Sequence, residues 1–136
     1  MTEWIVDNSV WARASSVPGV RRRIEEIAAD PREVILSCPP QVLEYCYAAR
    51  NAAEYEELRE DMELLARPRY MPDMEDVLEI QQALFQQGTG RAAGVFDIMI
   101  AAWARVNDAA VLTADHDFDF IAQAVPGFRH EYVPSP

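Results

Sequence analysis

The chain has 136 residues, half of them apolar or aromatic, and a net charge of −11 from 23 acidic residues against 12 arginines, with no lysine. A single domain over residues 1–136 with a core of its own is expected at this length, and no apolar run approaches the roughly 20 residues that cross a bilayer. So acidic a chain argues against a generic basic nucleic-acid groove. It leaves room for an enzyme whose acids are neutralised by divalent cations, and it favours a basic partner.

The start, MTEWIVDNSVWAR, has no basic segment ahead of its apolar run and no small-residue cleavage site, so no signal peptide is expected. A cytoplasmic protein follows, with Cys38 and Cys46 as reduced packing residues rather than a disulfide. Residues 3–7, EWIVD, read as a short strand ending on an aspartate, with Asn8 and Ser9 able to cap the helical VWARA. After Pro18–Gly19, VRRRIEEIAAD has Val20, Ile24 and Ile27 on one helical face. Arg21, Arg22 and Arg23 fall on its solvent side, supported by Glu25 and Glu26.

EVILS at 33–37, bounded by Asp30–Pro31 and Pro39–Pro40, is a second strand. Residues 41–66 are helical in pattern, as two helices breaking near Arg50–Asn51, and RPRYMP at 67–72 has room for a brief strand only. MEDVLEIQQALFQQ is an amphipathic helix stopped by Gly88–Thr89–Gly90. VFDIMIAAWARVND is a helix with an apolar body, AAVLT a third strand, DFDFIAQAV a short helix, and HEYV a last strand before a Pro-rich end. Strands separated by helices need crossover connections, so a mostly parallel sheet with helices on both faces is expected, with sites gathering at the carboxyl ends of its strands.

That rule makes the acids converge. Asp7 ends the first strand, Asp115 follows the third, Glu44 lies one turn into the helix after the second, and Asp97 opens the helix at Val95 among Phe96, Ile98 and Met99. Asp115, Asp117 and Asp119 alternate in TADHDF. Two bare carboxylates about 4 Å apart repel by roughly 4 kcal/mol at an effective dielectric of about 20, so something must separate or neutralise them. Hard divalent cations such as Mg²⁺ or Mn²⁺ prefer such oxygen ligands and assist phosphodiester hydrolysis by water.

Taken singly, each acid has a plainer reading: Asp7 as a helix cap, Glu44 as a surface residue, Asp97 as a first-turn acid, and Asp119 as the charged start of a helix. The joint pattern carries the argument. An EF-hand loop counted from Asp115 fails, with Phe120 where glycine is required and Pro126 where glutamate is required. There is no GxxxxGK[ST], GxSxG or CxxC motif. His116 and His130 have no obvious nucleophile partner and read as structural.

IVDNSVWAR, LSCPPQVLEYCYAAR and AAGVFDIMIAAWARVNDAAVLTADHDFDFIA together resemble the PIN domain and, within it, the VapC toxins of bacterial toxin–antitoxin pairs. The resemblance spans essentially the whole chain. It implies a three-layer α/β/α sandwich with a central, mostly parallel sheet, and a Mg²⁺- or Mn²⁺-dependent endoribonuclease, often dimeric, inhibited by a cognate antitoxin. Carried onto matching positions, it implies acids at Asp7, Glu44, Asp97 and Asp115, a helping hydroxyl at Ser9, and Asp117 as an additional ligand or supporting group. Members often carry a basic residue before the third acid, and Arg91 is the candidate, as a fork-shaped phosphate donor. A dimer or antitoxin surface is expected on 41–66, where Tyr45, Tyr47 and Tyr55 are dense.

Two rivals stand beside this reading. A PIN-like module that binds metal or RNA without cutting would be expected to lose one of the acids, and none is lost. A Mg²⁺-dependent phosphatase with an aspartyl nucleophile wants a second aspartate two residues on, where this chain has Asn8 and Ser9.

Overall fold

The computed structural model describes residues 1–133; the Pro-rich end lies outside the described residues. Four short strands, β1 (Thr2–Val6), β2 (Glu33–Leu36), β3 (Ala110–Thr113) and β4 (His130–Tyr132), form one sheet in the order β2-β1-β3-β4. Every pairing is parallel, so Val6, Leu36, Thr113 and Tyr132 all end at one edge.

Helices cover both faces, because side chains alternate along a strand. Ile5 and Val111 point into a core shared with Ile80 and Leu84 of α5 (Met74–Gln87), Ile100 of α6 (Val95–Val106) and Phe118 of α7 (Asp117–Ala124). Trp4, Val6 and Leu112 point the other way, against Val10 of α1 (Asn8–Trp11) and Val20 and Ile27 of α2 (Pro18–Ala29). The expected α/β/α sandwich is the fold. Each fully buried aliphatic side chain contributes about 1.5–3 kcal/mol by leaving water, and on α6 the run Ile100–Ala101–Ala102 is almost entirely buried.

The long helical stretch is two helices, α3 (Pro39–Tyr47) and α4 (Ala52–Glu63), joined at 48–51, with the Asn51 side chain accepting from Glu54 N–H to start the second. At 67–72, where the sequence leaves room for a brief strand at most, none forms. Ala66 makes a single parallel bridge to Leu36 at the sheet edge. Beyond it, the Asn107 side chain bonds both Tyr70 N–H and Tyr70 C=O at 2.9 Å, doing with an amide what a strand partner would do. Gly88 ends α5 at φ +85°, a conformation that costs glycine little.

Arg23 departs from the sequence expectation. It is half-buried, forms a two-pronged pair with Glu131 at 2.7 and 3.1 Å, and lies over the Trp4 ring, tying α2 to β4. Arg21 and Arg22 are exposed as expected.

Candidate metal centre

The parallel sheet sets the site because it brings four chain segments to one edge. Asp7 is the first residue beyond β1, and its N–H still donates to Leu112 C=O at 2.9 Å. Its backbone occupies the cap position of α1, yet its side chain makes no capping bond. Oδ2 of Asp7 instead accepts from the Ser9 hydroxyl at 2.6 Å and the Thr113 hydroxyl at 3.2 Å, and the residue is 5% exposed. The simple helix-cap reading of Asp7 is therefore excluded by its own geometry.

Ser9 works in two directions, donating to Asp7 and accepting from Ala114 N–H at 2.9 Å. Thr113 similarly accepts from Asp115 N–H at 3.0 Å. The two hydroxyls thus stitch the end of β1 to the end of β3. Thr113, completely buried at the end of an otherwise apolar strand, escaped the sequence reading. A polar residue closing a buried strand is the signal that marks it.

Glu44 reaches in from α3, and Asp97 from the first turn of α6, where Asp97 Oδ2 accepts from Gly94 N–H at 3.3 Å. Asp7, Glu44 and Asp97 each offer an oxygen, and the three oxygens lie within 4.8 Å of one another. Carboxylates at that range, all ionised, would repel by about 3 kcal/mol per pair at an effective dielectric of about 20.

The site responds as this requires. Burial, then the charge of Asp7, pushes the Asp97 carboxyl up to about 7, against the opposing pull of the Gly94 N–H. Burial and Asp7 also raise Glu44. Oε1 of Glu44 is buried with no hydrogen-bond partner among the described residues.

Asp115 and Asp117 stand beside this trio rather than within it. Asp115 Oδ1 accepts from Asp117 N–H at 3.0 Å, fixing the turn into α7. Burial and neighbouring Asp115 raise Asp117, and the charge of Asp117 in turn raises Asp97. Arg91 lies exposed in the loop before α6, with no ion pair among the described residues. Arg13, which the sequence reading passed over, donates from Nη1 to Ser9 C=O at 2.8 Å.

Asp119 is set apart. Its two oxygens face His116 Nδ1 at 2.9 Å and His130 Nε2 at 2.7 Å, and these bonds hold its carboxyl below the usual range. Cys38 and Cys46 are free and buried, and burial raises the Cys38 thiol to about 12, so neither is a ready nucleophile. No described helix is long and apolar enough to cross a membrane.

An all-oxygen set with a buried, unpartnered carboxylate oxygen and a carboxyl raised to about 7 suits a hard divalent cation, which supplies the missing positive charge. The residues present fit such an ion.

The PIN domain family profile matches residues 5–123. Ribonuclease VapC21 of Mycobacterium tuberculosis H37Rv is 30% identical, the alignment covering 99% of this chain and 96% of that protein. Ribonuclease VapC18 of the same strain is 28% identical over 94% of this chain and 93% of its own length. The crystal structure of VapBC2 from Rickettsia felis, bound to a DNA fragment from its promoter, contains a chain of the same fold. That chain has a TM-score of 0.68 at 17% identity, with 96% of this chain and 98% of that one covered. On the family match and these full-length relatives together, the chain belongs to the PIN domain family, in the company of the VapC proteins.

Proposed function

We propose that this protein is a Mg²⁺- or Mn²⁺-dependent endoribonuclease, the toxin of a toxin–antitoxin pair, held inactive by a cognate antitoxin. The observation that carries the reading is the cluster of Asp7, Glu44 and Asp97 oxygens within 4.8 Å at the carboxyl edge of the sheet. Full-length relatives named as ribonucleases support RNA as the substrate.

In this reading Asp7, Glu44 and Asp97 hold the cation, with Asp115 and Asp117 completing its surroundings. The cation supplies positive charge that makes water a better nucleophile and offsets charge on phosphodiester oxygens. The protein's own contribution is orientation and proton bookkeeping. Ser9 and Thr113 fix the Asp7 carboxylate, so that no reorganisation is needed when substrate arrives. Burial and the charge of Asp7 raise Asp97 to about 7, so positive charge entering the site favours its ionised form. Arg91, exposed in the loop before α6, and Arg13, bonded to Ser9 C=O, are the candidates to donate to phosphate oxygens.

The antitoxin would occupy the groove between α3 and α4, a cavity of about 530 Å³ lined by Val42, Leu43, Tyr55 and Met62, with Arg59 and Glu63 at its rim. The acidic trio, which does not line this groove, would attract an arginine of that partner by charge. Exposed Met71, Met74, Leu78 and Phe85, along and just before α5, form a second apolar stripe, suited to another copy of the chain. This stripe lies outside 41–66, the segment on which the sequence leads one to expect a dimer or antitoxin surface.

The test is to incubate purified wild type and Asp97→Asn with total RNA in Mg²⁺, Mn²⁺ or EDTA, and to map the cut ends. Discrete cuts by wild type alone, lost in EDTA, are expected. No cuts with any metal, from protein free of antitoxin, would favour the PIN-like module that binds without cleaving.

A further inference from the structure

Beside the acidic trio stands an aromatic pair that the metal chemistry does not use. The rings of His116 and Tyr132 lie face to face, with centroids 4.1 Å apart and planes inclined by 17°. His116 sits between Asp115 and Asp117 in the turn after β3. Tyr132 is the register partner of Thr113, whose hydroxyl bonds Asp7. Neighbouring strands run about 4.8 Å apart, so Tyr132 lies one strand from the hydroxyl that fixes Asp7, and His116 precedes Asp117, whose charge is felt at Asp97.

The His116 ring is fixed in orientation. Its Nδ1 is bonded to Asp119, whose other oxygen is bonded to His130, and the His130 ring is in turn stacked near Phe128. One face of His116 is covered by Tyr132, while the side chain as a whole is 68% exposed. The ring is thus flat, clamped at its edge, backed by a second ring and largely open on the outside, the arrangement on which a base can stack.

We propose that the His116–Tyr132 pair is a stacking platform for one unpaired nucleobase of the RNA substrate, next to the phosphodiester held at the acidic trio. The inference rests on the ribonuclease reading and adds the means by which substrate is gripped and registered. Charge explains why such a grip is needed. A chain of net charge −11 gains little from phosphate contacts, whereas stacking on an aromatic ring is insensitive to charge and tolerant of sequence. The platform would therefore set which nucleotide lies beside the cut, with a preference graded by the stacking strength of the base.

The test uses the intact protein in the Asp97→Asn background with Mg²⁺, and single-stranded RNAs carrying 2-aminopurine at successive positions. Stacking quenches that fluorophore at one position only. His116→Ala is expected to abolish the quench at that position and to weaken binding about tenfold, within the range for loss of one base–aromatic stack. His116→Phe is expected to restore both. In the cleaving protein, His116→Ala should alter the base preference at the cut. Equal binding and an unchanged quench in His116→Ala, or no position-specific quench in any RNA, would overturn the platform. Should wild type fail to cut while the quench behaves as expected, the platform stands as an RNA-binding feature, and it is the nuclease reading that falls.

Discussion

The acidic trio of Asp7, Glu44 and Asp97 and the lone carboxylate of Asp119 are surrounded in opposite ways. Asp119 is flanked by two imidazoles, and those bonds lower its pKa. Asp97 has only carboxylates and apolar neighbours for company, apart from one backbone N–H, and its pKa rises to about 7. Glu44 is in the same state, with a buried oxygen that meets no donor. The chain gives Asp119 two imidazole partners; it gives Asp7 two hydroxyls, Asp97 one backbone N–H, and the buried oxygen of Glu44 no donor among the described residues. The difference between the two supports the proposal that the trio, rather than Asp119, holds the cation.

The sharpest way to break the comparison is to neutralise Asp97 and Asp119 in turn. Asp97→Asn should lower RNA cleavage by at least two orders of magnitude, the scale on which a preorganised charge at a reacting centre is felt. In EDTA the same variant should melt higher than wild type at pH 8, because a carboxylate that repels Asp7 has gone. Asp119→Asn should do the reverse, sparing the cleavage step while loosening the His116 ring it clamps, and melting slightly lower, by no more than about 1 kcal/mol for so exposed a group. If Asp119→Asn silenced the enzyme and Asp97→Asn did not, the assignment of roles would be inverted.

Ser9→Ala removes the 2.6 Å donor to Asp7 without touching a carboxylate. A loss of about 10- to 100-fold in cleavage is expected, as for other residues that orient a metal ligand. Retained folding is to be checked by circular dichroism.

The pH dependence of stability should carry both signs. With metal removed, the folded state keeps a proton on Asp97 up to about pH 7, whereas the unfolded chain loses it near pH 4. Stability therefore falls as pH rises through that window and levels off above it. Asp119 acts oppositely, since its lowered pKa stabilises the fold above the ordinary carboxylate range, and that contribution disappears as pH falls below it. Melting temperature measured from pH 3 to 9 in EDTA, on wild type and the two single variants, separates the contributions.

Mg²⁺ sharpens the contrast a last time. Binding should release protons below pH 7 as Asp97 ionises, readable by calorimetry in two buffers of different ionisation enthalpy. It should also raise the melting temperature of Asp97→Asn less than that of wild type at low Mg²⁺, because the variant keeps Asp7 and Glu44 but fills its weaker site only at higher Mg²⁺.

The order of strands and helices was legible in the sequence, because the β-branched runs at 33–36 and 110–113 and the apolar stripes of α2, α5 and α6 are local, periodic signals. So was the convergence of Asp7, Glu44 and Asp97, since a parallel sheet puts all strand ends on one side. Other features depended on partners distant in the chain, which no local pattern encodes. Arg23 reads as a surface charge until Glu131 and Trp4 arrive beside it. The 67–72 segment has room for a brief strand until the Asn107 side chain takes both backbone groups of Tyr70. Asp119 resembles one more acid of the D-x-D-x-D run until His130, eleven residues on, closes over it. What the sequence by itself determined was the set of elements and the edge at which the acids meet. Which acids are neutralised and which are left bare was decided by packing, because a carboxylate's charge state depends on what lies within a few ångströms in space, whatever its place in the chain.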